Sequence, residues 1–278
     1  MYCKWGRTKP PPGSLLDRGH LLAQGMLRCL LLAEGYGQAQ ESCFQESLQS
    51  GTTFSPWSGS PVGTGGFFPA AAASCRFVAS NRALPSSVGA VALRFTTHAN
   101  WSGGAYATLF SHNSTGNDQN IIAILRLTAT ESQANQLSFM LSNSASAYWG
   151  GAFNSLRSEP LVDSTTYSVV MTWDQNFFGC YLNGRFQSSL PGPARTPSAF
   201  SNWSIGNATH ALTTRMARAN INYLYMWNRR LSQREISWLH EEPFAMIRSP
   251  RSISYFVPAQ AFNPGWVQPG VVIGGGCI

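Results

Sequence analysis

Between residues 165 and 227 the chain alternates apolar and polar positions with a period of two, and then the pattern changes. In Tyr167–Trp173, the residues Tyr167, Val169, Met171 and Trp173 alternate with Ser168, Val170 and Thr172. That is a strand with one face in a core. Asp174-Gln175-Asn176 reads as a polar turn. The strand pattern resumes over Gly179–Phe186, and Asn183-Gly184 within it marks a hairpin, because both residues tolerate positive φ. Trp203–Ile205 is a further short strand, and Ile221, Tyr223, Tyr225 and Trp227 alternate again. At Leu231 the spacing switches to a helix start. Ser232 is the expected N-cap, Glu235 stands where it completes a capping box, Leu231 can staple onto Ile236, and Pro243 ends the helix.

The same reading upstream predicts strands over Leu27–Leu32, Cys75–Ala79, Val88–Thr96, Ala105–Ser111, Ile121–Leu127 and Gln136–Ser142. Val91, Leu93 and Phe95 alternate, while Ile121–Leu127 is nearly continuous and apolar, as a central strand would be. Residues 35–74 are rich in Gly, Ser, Gln and Pro, which predicts long loops. The expected fold class is all-β: a two-sheet antiparallel jelly-roll sandwich with one short helix near its C-terminal side and extended terminal arms. Three parts are expected. Residues 1–20 form an extended arm in which Pro10-Pro11-Pro12 favours polyproline II. Residues 21–247 form the sandwich, and 248–278 an apolar tail.

Composition narrows the class. Charged residues make up 11% of the 278, against roughly 25% in ordinary soluble domains, while 44% are hydrophobic, so the low charge is not a sign of disorder. The net charge of +7 has two readings: an acidic partner, or a shortage of carboxylates. The basic residues are scattered, apart from Arg215, Arg218, Arg229, Arg230 and Arg234, and no nucleic-acid motif accompanies them. No specific nucleic-acid partner is expected. No stretch is long enough to span a membrane, and no convincing signal peptide precedes the strands. The cysteines at 3, 29, 43, 75, 180 and 277 include no C-x-x-C pair, and Cys29 and Cys180 fall in predicted strands as candidate core residues.

The chain resembles the concanavalin A-like, laminin-G-type jelly rolls, and among them the versions found in tailed phages and prophages. The resemblance rests on Tyr181-Leu182-Asn183-Gly184, on Trp203-Ser-Ile-Gly-Asn207, on Trp227-Asn-Arg-Arg-Leu-Ser232 followed by Glu235-Ile236, and on the opening Gly25–Gly35 segment. It covers most of residues 20–247. It implies the sandwich fold, a non-enzymatic structural role in a phage virion, and capsid decoration or cementing as that role. The implied partners are the major capsid protein or other virion proteins, with a homo-oligomer expected. A glycan-binding or adhesion module, reading host-surface glycans, is the alternative, and a glycoside hydrolase or lyase the weaker one. The fold alone decides none of these.

Candidate chemistry is sparse. Retaining glucanases need two carboxylates close together on one face, and no E-x-D-x-x-E run occurs. Asp174 reads as a turn residue, Glu241-Glu242 as a solvated helix end. The five histidines make no H-E-x-x-H or H-x-H spacing, no G-x-S-x-G elbow is present, and Asn113–Asn120 offers one carboxylate among amides. No catalytic residue, metal or cofactor is expected. Sugar stacking is assigned to Trp101, Tyr148 and Trp149, in predicted loops beside Asn, Ser and Gly. The tail carries no charged side chain after Arg251. Its Tyr255, Phe256, Phe262, Trp266, Val271 and Ile273 either pack back on their own sandwich or dock on a neighbour, and an assembly role is assigned to them.

Overall fold

The computed structural model describes residues 9–11, 14–32, 49–50, 57–60, 63–68, 77–79, 87–99, 101, 107–113, 122–126, 135–141, 154–191, 202–206 and 217–248. The described chain runs β1 (Leu15–Leu16), a 3-10 turn (Leu21–Ala23), β2 (Met26–Leu30), β3 (Gln49–Ser50), β4 (Trp57–Ser60), β5 (Gly63–Phe68) and β6 (Phe77–Ala79). It continues with β7 (Gly89–Thr97), β8 (Ala107–Asn113), β9 (Ile122–Arg126), β10 (Gln136–Leu141), β11 (Asn154–Pro160) and β12 (Thr166–Trp173). Then follow β13 (Phe178–Leu182), β14 (Arg185–Leu190), β15 (Asn202–Ile205), β16 (Ala219–Trp227), α1 (Gln233–Glu241) and β17 (Ile247–Arg248).

Two antiparallel sheets face each other. One has the order β11-β10-β9-β8-β15-β6-β3, the other β14-β13-β12-β7-β16-β5-β4, with β2 also pairing with β16. β5 binds the Ala219–Ile221 end of β16 and β2 its Leu224–Trp227 end. Between the sheets lies a core built from Val91, Leu93 and Phe95 of β7, Tyr167, Val169, Met171 and Trp173 of β12, and Phe110, Ile124, Phe139 and Trp203 of the opposite sheet. The predicted alternation of β7 and β12 thus holds residue for residue. β9 lies inside its sheet, between β8 and β10, as its continuous apolar run predicts.

Part of the outer face of the β14–β4 sheet is also buried. Ala90 and Ala92 of β7, small enough to admit a third layer, are covered there by Leu22, Leu231, Ile236, Leu239, Phe244 and Met246. This second core alters one expectation. Ile221, Tyr223, Tyr225 and Trp227 do not share a face, because the register of β16 against β7 shifts between Ile221 and Tyr223. The extra residue, Asn222, reverses the side-chain alternation. Ile221 stays between the sheets, while the three aromatic residues turn outward beneath the helix. There Tyr223 and Tyr225 stack at 4.3 Å, Trp227 meets Tyr225 edge-on, and Tyr225 donates to the Pro243 carbonyl.

Three further differences matter. The Gly/Ser-rich segment expected to form loops contains the hairpin of β4 and β5, paired from Trp57↔Gly66 to Ser60↔Gly63. β11 carries no clean alternation in its sequence, Asn154–Pro160, and is a strand through its pairing with β10. Residues 9–20, expected to be part of an extended arm, lie against the domain where they are described: Lys9, Ser14 and Asp17 are buried. The hairpin at Asn183-Gly184 forms as predicted, with φ of 50° and 76°. Cys29 and Cys180 are buried, and burial pushes the Cys180 thiol up, away from reactivity.

Candidate functional site

Both ends of the described domain meet at one place. Leu15 and Leu16 pair with Arg248 and Ile247 in a separate two-stranded ribbon. The Asp17 amide donates to the Met246 carbonyl at 2.8 Å, and the buried Asp17 carboxylate binds Arg248 at 2.6 Å. Lys9 Nζ donates to the Leu32 carbonyl at 2.6 Å, tying the N-terminal segment to the end of β2. Arg248 thus lies beside Leu15, while Lys9 is held at the end of β2.

The helix that backs this clamp is fixed at both ends. Ser232 and Glu235 form the reciprocal capping box, and Arg229 binds Glu235 at 2.6 Å while donating to the Gln24 and Leu21 carbonyls. Burial would push the Glu235 carboxyl up, but the hydrogen bonds from Arg229 and Ser232 outweigh it and hold it below the usual carboxylate range. At the other end, His240 Nδ1 lies 2.7 Å from the Ser168 hydroxyl. This serine–histidine contact sits where α1 packs on β12, and Ser168 is buried, so the pair positions the helix.

A second feature lies at the outer edge of the same sheet. Phe186 of β14 is 49% exposed, and among the described side chains it is the one exposed aromatic ring. It meets Tyr181 edge-on at 5.5 Å. Next to Tyr181 the ring of Phe177 occupies the space that a Cβ at Gly179 would need. The Arg230 guanidinium lies 3.7 Å from the centre of the Phe177 ring and pairs with Asp174 at 3.0 Å. Burial pushes the Tyr181 hydroxyl up, against the pull of Arg230. Exposed Phe186, half-buried Phe177 and the arginine–carboxylate pair thus form a shelf on this side of the sheet, with Tyr181 buried against Phe186.

The residues singled out in the sequence fare differently. Trp101, expected to present its face to a sugar, is fully buried in the inter-sheet core with its ring 5.8 Å from Phe95. A ring enclosed there has no face to offer, and that assignment is corrected. Tyr148 and Trp149 lie outside the described residues, as do Tyr255, Phe256, Phe262, Trp266, Val271 and Ile273. Within the arginine cluster, Arg229 and Arg230 are paired with carboxylates, which favours the reading that the positive charge reflects few acids rather than an acidic partner. Asp174 is the turn residue it was read as: its carboxylate accepts from Asn176 N–H at 2.8 Å and binds Arg230. Sequence reading missed Phe186, Phe177 and the clamp. Leu15-Leu16 and Ile247-Arg248 are too short to signal strands, and Phe186 reads as one more position of a hairpin.

Among the described residues no group of three or more His, Cys, Asp and Glu side chains could hold a metal ion. Asp17, Asp174 and Glu235 are each spent on an arginine rather than on one another. No described helix is long and apolar enough to cross a membrane.

Comparison with solved structures gives the same architecture. The binding domain of botulinum neurotoxin serotype D matches with a TM-score of 0.57 at 12% identity, over 78% of this chain and 51% of that one. The binding domain of botulinum neurotoxin DC, solved in complex with SialylT, gives 0.57 at 9% identity over 79% and 52%. The Trypanosoma rangeli sialidase in complex with sialic acid gives 0.57 at 12% identity over 79% of this chain and 33% of the enzyme. This chain spans about half the length of the toxin domains and a third of the sialidase. No curated protein sequence matches it. The family model for the concanavalin A-like lectin/glucanases superfamily, of laminin G type, matches residues 82–237, more than half of the 278. That match begins just before β7, runs into the capped helix and takes in most of the strands that build the inter-sheet core, so the chain belongs to the concanavalin A-like lectin/glucanases superfamily.

Proposed function

We propose that this protein is a non-enzymatic structural component of a tailed-phage virion, a capsid decoration or cement protein that docks on neighbouring subunits through its two ends. The observation that carries the reading is the clamp. Pairing β1 with β17 holds Leu15 of the N-terminal segment beside Arg248, the first residue of the tail, so one docking event at that point can engage both terminal segments. The tail that starts there has no charged side chain after Arg251, which suits strand addition to a neighbour or burial in an interface. The likeness of the hairpin, turn and helix motifs to phage-borne jelly rolls supports the same reading. The partner is the major capsid protein or another virion protein, the location is the particle, and the protein acts as a homo-oligomer. Deleting residues 254–278 tests the proposal. A folded, soluble sandwich that no longer joins its particle is expected. An insoluble truncate, or one that still assembles, contradicts it.

Glycan binding is the second reading, favoured by the shelf of exposed Phe186 and half-buried Phe177, the latter beside Arg230 and its partner Asp174. An exposed ring offers a sugar an apolar face to stack on. Structural neighbours solved with SialylT and with sialic acid support this class of ligand. A glycan array with the intact protein and Phe186→Ala tests it: saturable binding lost in the variant is expected, and an inert intact protein discards the reading.

A further inference from the structure

We propose that His20 is an acid-sensitive latch on the clamp that holds the two ends of the domain together. The inference is independent of what those ends bind.

His20 stands where three parts of the clamp meet. Its Nδ1 accepts from the Leu22 amide at 3.2 Å and so caps the 3-10 turn Leu21–Ala23. Accepting at Nδ1 requires the neutral ring with its proton on Nε2. The ring packs against Trp238 of α1, centre to centre 4.7 Å and tilted by 51°. Its own amide donates to the Asp17 carbonyl at 3.0 Å. The turn it caps is held from the other side, because Trp227 Nε1 donates to the Leu22 carbonyl at 2.6 Å.

The charged groups around it set the direction. Asp17 faces it from the N-terminal segment, and Glu242 from the end of α1. Arg248 lies beyond Asp17, to which it is bound. Arg229, bound to Glu235, reaches the Leu21 carbonyl of the same turn. When Nδ1 gains a proton it becomes a donor aimed at the Leu22 N–H, and the cap is lost. The new cation also competes with Arg248 for the Asp17 carboxylate, and with Trp238 Nε1 for Glu242, which that indole holds at 3.3 Å. Competition at Asp17 weakens the pair that holds Arg248 of the β1–β17 ribbon, and the other two changes loosen the turn and helix end whose Leu22 and Trp238 share a cluster with Leu16 and Ile247. The inter-sheet core includes none of these residues, so it is untouched.

The electrostatics agree with this direction. Burial lowers the His20 value below that of an ordinary histidine, and Asp17 and Glu242 only partly pull it back. A histidine whose value is depressed in the folded state stabilises when neutral. Its contribution is complete above the unfolded value and is lost as the pH falls through that value toward the folded one. The latch is closed at neutral pH and opens in mild acid.

Residue-resolved hydrogen exchange of the whole chain between pH 7.5 and 5, corrected for the intrinsic pH dependence of exchange, tests the proposal. His20 itself is titrated by NMR in the same samples. Protection at the amides of Asp17, Leu22 and Ile247 is expected to fall, by up to about tenfold per pH unit, as the pH drops from the ordinary histidine range to the His20 midpoint, and to level off below it. Protection in β12 should hold. His20→Gln keeps a side-chain acceptor that does not titrate, and the clamp amides should then ignore pH. Clamp amides that stay protected below the measured His20 midpoint overturn the proposal. So does the same pH response in His20→Gln. If that variant does not fold, the position of the protection loss relative to the His20 midpoint in the unaltered protein still decides.

Discussion

Replacing Trp101 by Ala separates a core role from a ligand-binding role. The ring is fully buried, within 5.8 Å of Phe95, in the same cluster as Ala107 and Tyr167. Truncating a buried tryptophan removes its transfer free energy and leaves a cavity, a loss of about 3–5 kcal/mol. That is a large part of the roughly 5–15 kcal/mol by which domains are stable. For a domain of this size it corresponds to a melting temperature lower by about 6–20 °C, at roughly 2–4 °C per kcal/mol. Urea unfolding followed by circular dichroism measures it directly: the midpoint should fall while the slope stays unchanged, since the same surface is exposed on unfolding. Trp101→Phe fills part of the space and should lose clearly less. A loss below about 1 kcal/mol for Trp101→Ala would refute the argument, because a ring at the centre of a packed cluster cannot be removed so cheaply. Loss of sugar binding by a variant of unchanged stability would refute it as well.

Three other outcomes follow from the same geometry. Arg248→Ala removes the cation bound to the buried Asp17 carboxylate, leaving the Gly19 amide that donates to it, and should lower stability by about 1–3 kcal/mol, with the Arg248→Ala/Asp17→Asn double-mutant cycle showing clear coupling in thermal melts. Ser232→Ala removes half of the capping box and should cost about 0.5–2 kcal/mol, measured by urea unfolding. Glu235 is held below the usual carboxylate range when folded, so its contribution is present above the unfolded carboxylate value and is lost as the pH falls through the folded one; Glu235→Gln should flatten that part of the stability–pH curve.

Much of the fold was legible where local signals and burial agree. β12 alternates because one face packs between the sheets while Ser168 and Thr172 on the other bond His240 and the Leu231 amide, and Asn183-Gly184 turns because both residues sit at positive φ. The capping box is a contact within four residues, so its sequence spacing is its geometry. What sequence could not give is whatever depends on distant partners. The bulge at Asn222 turns Tyr223, Tyr225 and Trp227 to the other side of the sheet, and no local pattern announces it. β4 and β5 are glycine-rich, and they are strands through their pairing with each other and with β16 rather than through propensity. Trp101 looked like a surface ring because it stands among Asn, Ser and Gly, yet its side chain enters the core. The clamp joins residues some 230 apart in the chain through strands of two residues each, so only the folded chain reveals it.

The most direct test of the docking account is quantitative mass spectrometry of particles purified from the source, measuring this chain's copy number relative to the major capsid protein. The account predicts that it is present at a high, fixed ratio to the capsid subunit. A low copy number would point instead to a tail or fibre position, where the Phe186 shelf and glycan binding become the better explanation. Absence from the particles would contradict the account outright.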